Sequence, residues 1–305
     1  MIRDPNEVLR ENRARSISNY KRDSCSGLFS WWSLSYLVDY ALVGGISVVA
    51  LVIPAKAPLF MMPTPFDDLP VGTNASYTIS MPAVPESINS MTLYSIGYGS
   101  PLLVFFVHTL IRPLYRREAY RIRAFRFEDM HAAVLALLLA MSICGLATQS
   151  LKVSSGRLRP DFVSRMASGD EKRIRDGRSS FPSGHASTSA CGMAMLSLWI
   201  CGKLRVYRYN EAWRLCVCLL PYVLAFYVAV TRTQEHYHNH SDVMAGFLLG
   251  LASSCISYFL YYPSLGAELS AEPKLRSLEA HPPLLPGSLS SPMHSIAYER
   301  PHPHM

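Results

Sequence analysis

Residues 129–151 read DMHAAVLALLLAMSICGLATQSL, an apolar run that is broken only at its start by Asp129 and His131 and closed by Lys152. A helix crosses a hydrocarbon layer about 30 Å thick in roughly 20 residues. In lipid the backbone must satisfy its own hydrogen bonds, so a run of this kind becomes a helix. Five more blocks of the same character flank it, at 36–55, 90–111, 185–202, 213–232 and 241–262. The sequence therefore predicts an all-α bundle of six transmembrane helices over residues 36–262. Gly44-Gly45 and the group Gly97, Gly99 and Pro101 interrupt the first two blocks and make their ends the least regular.

A content of 50% hydrophobic residues in 305 could also build a soluble core, but here those residues fall in blocks. The net charge of +7 is likewise better read from its distribution than from its size. With the N-terminus in the cytoplasm, 19 of the 29 Lys and Arg residues lie in the N-terminal segment, the 112–126 and 203–214 loops and the tail. That excess follows the positive-inside rule, places both termini in the cytoplasm and gives no reason to expect a nucleic-acid partner. The basic stretch 152–178 is the exception, on the opposite side.

Residues 1–35 read as a basic cytoplasmic leader without a cleavable signal peptide, with Trp31 and Trp32 at an interfacial position. Residues 56–89 form a Pro-rich external loop with a glycosylation triplet at Asn74-Ala75-Ser76. Residues 263–305, rich in Pro, Ser and His, read as a disordered cytoplasmic tail. Six of the seven cysteines (Cys144, Cys191, Cys201, Cys216, Cys218 and Cys255) lie in or beside spans, and Cys25 lies in the leader, so buried thiols are expected rather than a disulfide framework.

Three polar clusters break the apolar pattern, all on the non-cytoplasmic side of the expected topology. They are Lys152 to Pro160, Ser180 to His185, and Thr231 to Asp242. Charge at membrane ends is costly to place and is usually functional. Lys152, Arg159 and Arg232 supply three cations for a phosphate dianion. Ser183 and Gly184 precede a helix, whose amides and dipole favour an anion. His185 and His238 supply a nucleophile and a general acid from different spans. His238 and Asp242, four apart, would share a helix face, so that Asp242 orients the imidazole. Each piece alone has an ordinary reading: a snorkelling lysine, a helix-entry turn, a span-ending arginine. Their conjunction on one side points to phosphate chemistry. His236, His238, His240 and Asp242 could also suggest a metal, but His-x-His-x-His suits a strand, so neither a metal nor a cofactor is expected and His236 and His240 stay outside the catalytic set.

The three clusters resemble the signature of the type 2 phosphatidic acid phosphatase superfamily, in particular its lipid phosphate phosphatase branch: Lys-x6-Arg-Pro at Lys152 to Pro160, Pro-Ser-Gly-His at Pro182 to His185, and Arg-x5-His-x3-Asp at Arg232, His238 and Asp242. The resemblance covers roughly residues 36–262. It implies metal-independent release of phosphate from a membrane lipid: phosphatidic acid first, then lysophosphatidic acid, diacylglycerol pyrophosphate or sphingoid phosphates. His238 would form a phosphohistidine and His185 would protonate the leaving alcohol, with Asp242 completing the catalytic set. Lys152, Arg159, Ser183, Gly184 and Arg232 would bind the phosphate, and Arg157 and Asp161 would support them. Two departures stand out: Thr231 replaces the usual Ser, and the segment after His238 reads Asn-His-Ser where many relatives carry His-Trp. Other readings stay open at this point: a headgroup phosphotransferase resembling the sphingolipid synthases, a polyprenyl-diphosphate or sugar phosphatase, and a non-catalytic membrane scaffold. The expected location is the plasma membrane or an endomembrane, with the site on the non-cytoplasmic face. A homo-oligomer is compatible with a sequence that marks no face for one.

Overall fold

The structure is a computed structural model that describes residues 35–62, 78–115 and 122–274. The leader through residue 34 with Cys25, Trp31 and Trp32, the Asn74 triplet and the tail beyond 274 lie outside the described residues. In chain order the helices are α1 (Ser35–Lys56), α2 (Ser90–Tyr94), a π-helical turn (Ser95–Gly99), α3 (Ser100–Tyr115), α4 (Ile122–Ser155), α5 (Phe162–Ala167), α6 (Glu171–Gly177), α7 (Gly184–Leu204), α8 (Val206–Tyr209), α9 (Ala212–Gln234) and α10 (His240–Tyr261). No strand occurs among the described residues.

Five stretches are long and apolar enough to cross a membrane: Tyr36–Lys56, Ser90–Arg112, Phe127–Ser155, Ala212–Gln234 and His240–Tyr261. Large apolar side chains such as Leu51, Leu103, Leu220, Val223 and Leu248 point outward from them, as lipid-facing surfaces require. The sixth block forms α7, 21 residues long, but it is not among those five. Its position explains why. It packs against α4, α9 and α10 at the centre of the bundle, and most of its side chains are buried in protein. A helix that meets protein on every side needs small residues for close approach rather than apolar bulk. A Cβ on Gly192 would collide with the Gly97 backbone, and one on Gly250 of α10 would collide with the Ser187 carbonyl.

Serine hydroxyls add directed contacts between helices. Ser254 Oγ donates to the Cys191 carbonyl and Ser257 Oγ to the Ala136 carbonyl, each at 2.6 Å. Bonds of this kind contribute about 0.6 kcal/mol each within membranes. Tyr261 donates to Asp39 at 2.8 Å, and His131 lies edge-on between Tyr36 and Tyr40, so these membrane-embedded polar groups serve packing.

The expected interruptions do not break the helices. α1 runs through Gly44-Gly45. At Pro101, which has no N–H for the carbonyl four residues back, the chain widens into the π turn and continues as α3. The packed chain also extends past 262. Glu272 pairs with Arg112 at 2.8 Å, the Lys274 N–H donates to the Tyr261 carbonyl at 2.8 Å, and Ser270 is buried.

Candidate active site

The three polar clusters meet at one end of the bundle. Two helix starts organise them. Ser183 caps α7, its Oγ accepting from the Ala186 N–H at 3.4 Å. Asn239 and Asp242 form a capping box at the start of α10. The Ser183 N–H donates to the Asp242 carbonyl at 2.9 Å, which ties one helix start to the other. That amide was expected to face an anion, but it is already committed. The Gly184 amide, first in α7 and without an intrahelical acceptor, keeps that capacity.

His238 is buried just ahead of α10 rather than on it. The argument that residues four apart share a helix face therefore does not apply, and His238 Nδ1 stands 3.9 Å from Asp242 Oδ2. Ser180 fills the gap. Its Oγ lies 3.4 Å from His238 Nδ1 and donates to Asp242 Oδ2 at 2.6 Å. Asp242 also accepts from Arg157 Nη1 at 2.7 Å and from the Asn239 N–H at 3.1 Å. With Nδ1 turned to Ser180, Nε2 is the nitrogen left to react. Burial, reinforced by the charge of Arg159, pushes the imidazole below its ordinary 6.5 and keeps the ring neutral.

The two arginines expected to hold phosphate are each paired with carboxylates. Arg159, buried, donates from Nε to the Asp176 carbonyl (3.1 Å) and from Nη2 to Asp176 Oδ1 (2.9 Å). Arg165 takes the other Asp176 oxygen at 2.7 Å and also pairs with Asp161 at 2.9 Å, so Asp161 supports Arg165 rather than Arg159. Although burial opposes it, these cations hold the Asp176 carboxyl below its usual range. Arg232, with no exposed surface, faces Glu86 at 2.7 Å and Glu235 at 2.8 Å. The Tyr237 ring lies 5.3–5.7 Å from the guanidinium carbons of Arg159, Arg165 and Arg232 and joins the first and third clusters.

The ammonium of Lys152, in the last turn of α4, makes no hydrogen bond or ion pair among the described residues. A Cβ on Gly184 would lie 3.8 Å from its Nζ, so the ammonium sits beside the start of α7. A cavity of about 200 Å³, lined by Pro54, Gln149, Lys152, Lys172, Arg175 and Asp176 among others, lies against Lys152. His185 turns Nε2 toward the Ile88 carbonyl at 3.0 Å and Glu86 Oε1 at 3.1 Å. His236, at φ +59°, turns to the Pro82 carbonyl at 3.3 Å. No group of three potential metal ligands converges among the described residues.

Sequence reasoning did not single out Ser180, Asp176, Tyr237, Glu235 or Glu86. Ser180, Tyr237 and Glu235 lie inside the polar clusters, and Asp176 is an acid within the basic stretch, so a search for counter-charges would have found them. Glu86 carries no such signal, because it comes from the Pro-rich loop 56–89 far from the clusters in sequence.

Residues 133–264, which span all three clusters, match the model of the PAP2 superfamily. A PA-phosphatase related-family protein of Dictyostelium discoideum is 36% identical over 258 residues, covering 84% of this chain and 90% of that protein. Lipid phosphate phosphatase 2 of Arabidopsis thaliana is 34% identical over 152 residues, and the aligned region spans about half of that relative, 52%. Diacylglycerol pyrophosphate phosphatase 1 of Saccharomyces cerevisiae is 29% identical over 217 residues, 64% of this chain and 72% of that protein. No solved structure matches the chain. The helical bundle, the motifs and these relatives agree, and the chain belongs to the PAP2 superfamily as an integral membrane phosphatase.

Proposed function

We propose that the protein removes phosphate from a membrane lipid through a phosphohistidine on His238, with phosphatidic acid as the first substrate and lysophosphatidic acid, diacylglycerol pyrophosphate and sphingoid phosphates in the same class. The observation that carries this reading is the buried His238, held at Nδ1 by Ser180 and kept neutral beside the cations. Nε2 attacks phosphorus as the bond to the lipid oxygen breaks, and His185 gives its proton to the departing alkoxide. A water then attacks phosphorus, passes a proton to His185 and splits the P–N bond, which releases inorganic phosphate. Lys152 and the Gly184 amide offer the first contacts to the phosphate, and Arg159 and Arg232 add theirs by shifting part of their hydrogen bonding from Asp176 and Glu86. Fixed donors aimed at developing charge supply most of the acceleration in such transfers.

In this reading α7 is a sixth crossing, both termini are cytoplasmic, and the site lies at the non-cytoplasmic interface, where a headgroup reaches it while its acyl chains stay in the leaflet. The test is phosphate release from phosphatidic acid in mixed micelles with excess EDTA, comparing wild type with a folded His238→Ala variant. Activity in EDTA that His238→Ala abolishes is the expected result. Activity that survives the substitution removes His238 as nucleophile. Loss of headgroup phosphate only when a second lipid alcohol is present would replace the phosphatase with a transferase.

A further inference from the structure

We propose that Glu86 is a positioning residue that fixes the Nε2 proton of His185 and offsets the charge of Arg232, so that His185 can carry the transferable proton on Nδ1. This rests on His185 being the general acid. Segment 79–88 crosses the site as a strap, and its attachments define where Glu86 sits. The Met81 N–H donates to the Pro160 carbonyl at 2.9 Å, and the Ile79 carbonyl accepts from the Val163 N–H at 3.1 Å. Ser87 donates from its backbone N–H at 2.8 Å, and from its hydroxyl, to Glu235. Ile88 packs with Leu93 and Val228. Held at these points, the strap delivers one carboxylate oxygen, Glu86 Oε1, within 2.7 Å of Arg232 Nη1 and 3.1 Å of His185 Nε2.

The chemistry follows from what Nε2 faces. The Ile88 carbonyl at 3.0 Å and Glu86 Oε1 at 3.1 Å are both acceptors, so Nε2 carries a hydrogen whether the ring is neutral or charged. The second proton of the imidazolium is then on Nδ1. When Nδ1–H gives its proton to the lipid alkoxide, the neutral Nε2–H tautomer remains. In the second step Nδ1 takes a proton from the attacking water, and the imidazolium is restored. Lys152, Arg159 and Arg232 all oppose a positive ring in this place. Glu86 is the carboxylate in contact with that ring, as an orienting acid is for the base in a catalytic triad.

The test is kcat/KM, which reports the steps up to departure of the alcohol and not the shared hydrolysis, for Glu86→Gln, Glu86→Asp and His185→Ala on two substrates in the same micelles: phosphatidic acid, whose alkoxide needs a proton, and 4-nitrophenyl phosphate, whose phenolate does not. General acid catalysis is worth about 10²–10⁴-fold. Glu86→Gln keeps an acceptor for Arg232 but removes the charge. It should lower kcat/KM on phosphatidic acid by roughly 10–100-fold, less than the full effect of removing the acid, and change kcat/KM for the aryl phosphate by less than about threefold. Glu86→Asp should recover part of the loss. Equal losses on both substrates, or none on either, while His185→Ala stays selective for phosphatidic acid, would overturn the role of Glu86 and leave His185 as the acid. Equal losses for His185→Ala itself would remove the acid on which the inference rests.

Discussion

Replacing Ser180 with Ala tests the geometry of the proposed nucleophile, His238, most directly. In the structure Asp242 reaches His238 only through the Ser180 hydroxyl, which stands 2.6 Å from Asp242 Oδ2 and 3.4 Å from His238 Nδ1. The direct separation of 3.9 Å is too long for a hydrogen bond. Ser180→Ala removes both links and keeps Asp242 supplied by Arg157 and the Asn239 amide, so the fold should persist. A hydrogen bond to a charged group is worth about 1.5–3 kcal/mol. At roughly 1.4 kcal/mol per tenfold in rate, kcat should fall about 10–100-fold if the whole interaction serves to orient the ring. KM should barely move, because the proposed phosphate ligands are other residues. The assay is turnover of phosphatidic acid in mixed micelles, run together with Asp242→Asn and the double variant. If both residues act in one relay, the double variant will be no slower than the slower single one. Full activity in Ser180→Ala, combined with a large loss in Asp242→Asn, would refute the relay and require Asp242 to contact the imidazole directly during the reaction.

Lys152→Ala should cost turnover but little stability, since no described residue depends on its ammonium, whereas Arg232→Ala should lower the thermal midpoint in detergent because it strands Glu86 and Glu235, a loss of about 3–5 kcal/mol for a broken buried pair. Gly250→Ala should destabilise the bundle by about 1–3 kcal/mol through the collision with the Ser187 carbonyl, read as a lower midpoint without a change in KM. His238 binds a proton less readily folded than unfolded, so its contribution is complete above its ordinary 6.5 and is lost as pH falls below that value. The thermal midpoint should therefore drop on acidification below about pH 6.5, and His238→Gln should flatten the drop.

The helices were legible because lipid imposes one rule, intrasegment hydrogen bonding, on every long apolar run. α7 shows where hydropathy stops being informative: Ser187, Ser189 and Gly192 lower its apolar content but are what a central helix needs. Within the site, the residue types were legible and their pairings were not. The spacing of His238 and Asp242 suggested a helical pair, but the helix begins only at His240, because Asn239 and Asp242 close a capping box there. The hydrogen bond that spacing implied became a relay through Ser180. Glu86 lay beyond reach because nothing in a Pro-rich loop says which helix end it will cross.

The arginines gathered here are paired before any substrate arrives. Lys152, Arg157, Arg159, Arg165 and Arg232 are offset by Glu86, Asp161, Asp176, Glu235 and Asp242, and each arginine touches at least one of those carboxylates. A bare buried guanidinium would cost several kcal/mol, so the resting site cannot leave its arginines open. Lys152, a single flexible ammonium, lines a cavity of about 200 Å³ and has no carboxylate partner among the described residues. A phosphate dianion entering the site would add two negative charges to it. In the proposed mechanism that added charge would favour a proton on His185, the group that then releases one. In the proposed mechanism binding and acid catalysis would thereby be coupled: the substrate's own charge would help to load the acid that expels its alcohol, with Glu86 at 3.1 Å from His185 Nε2 fixing which nitrogen carries that proton.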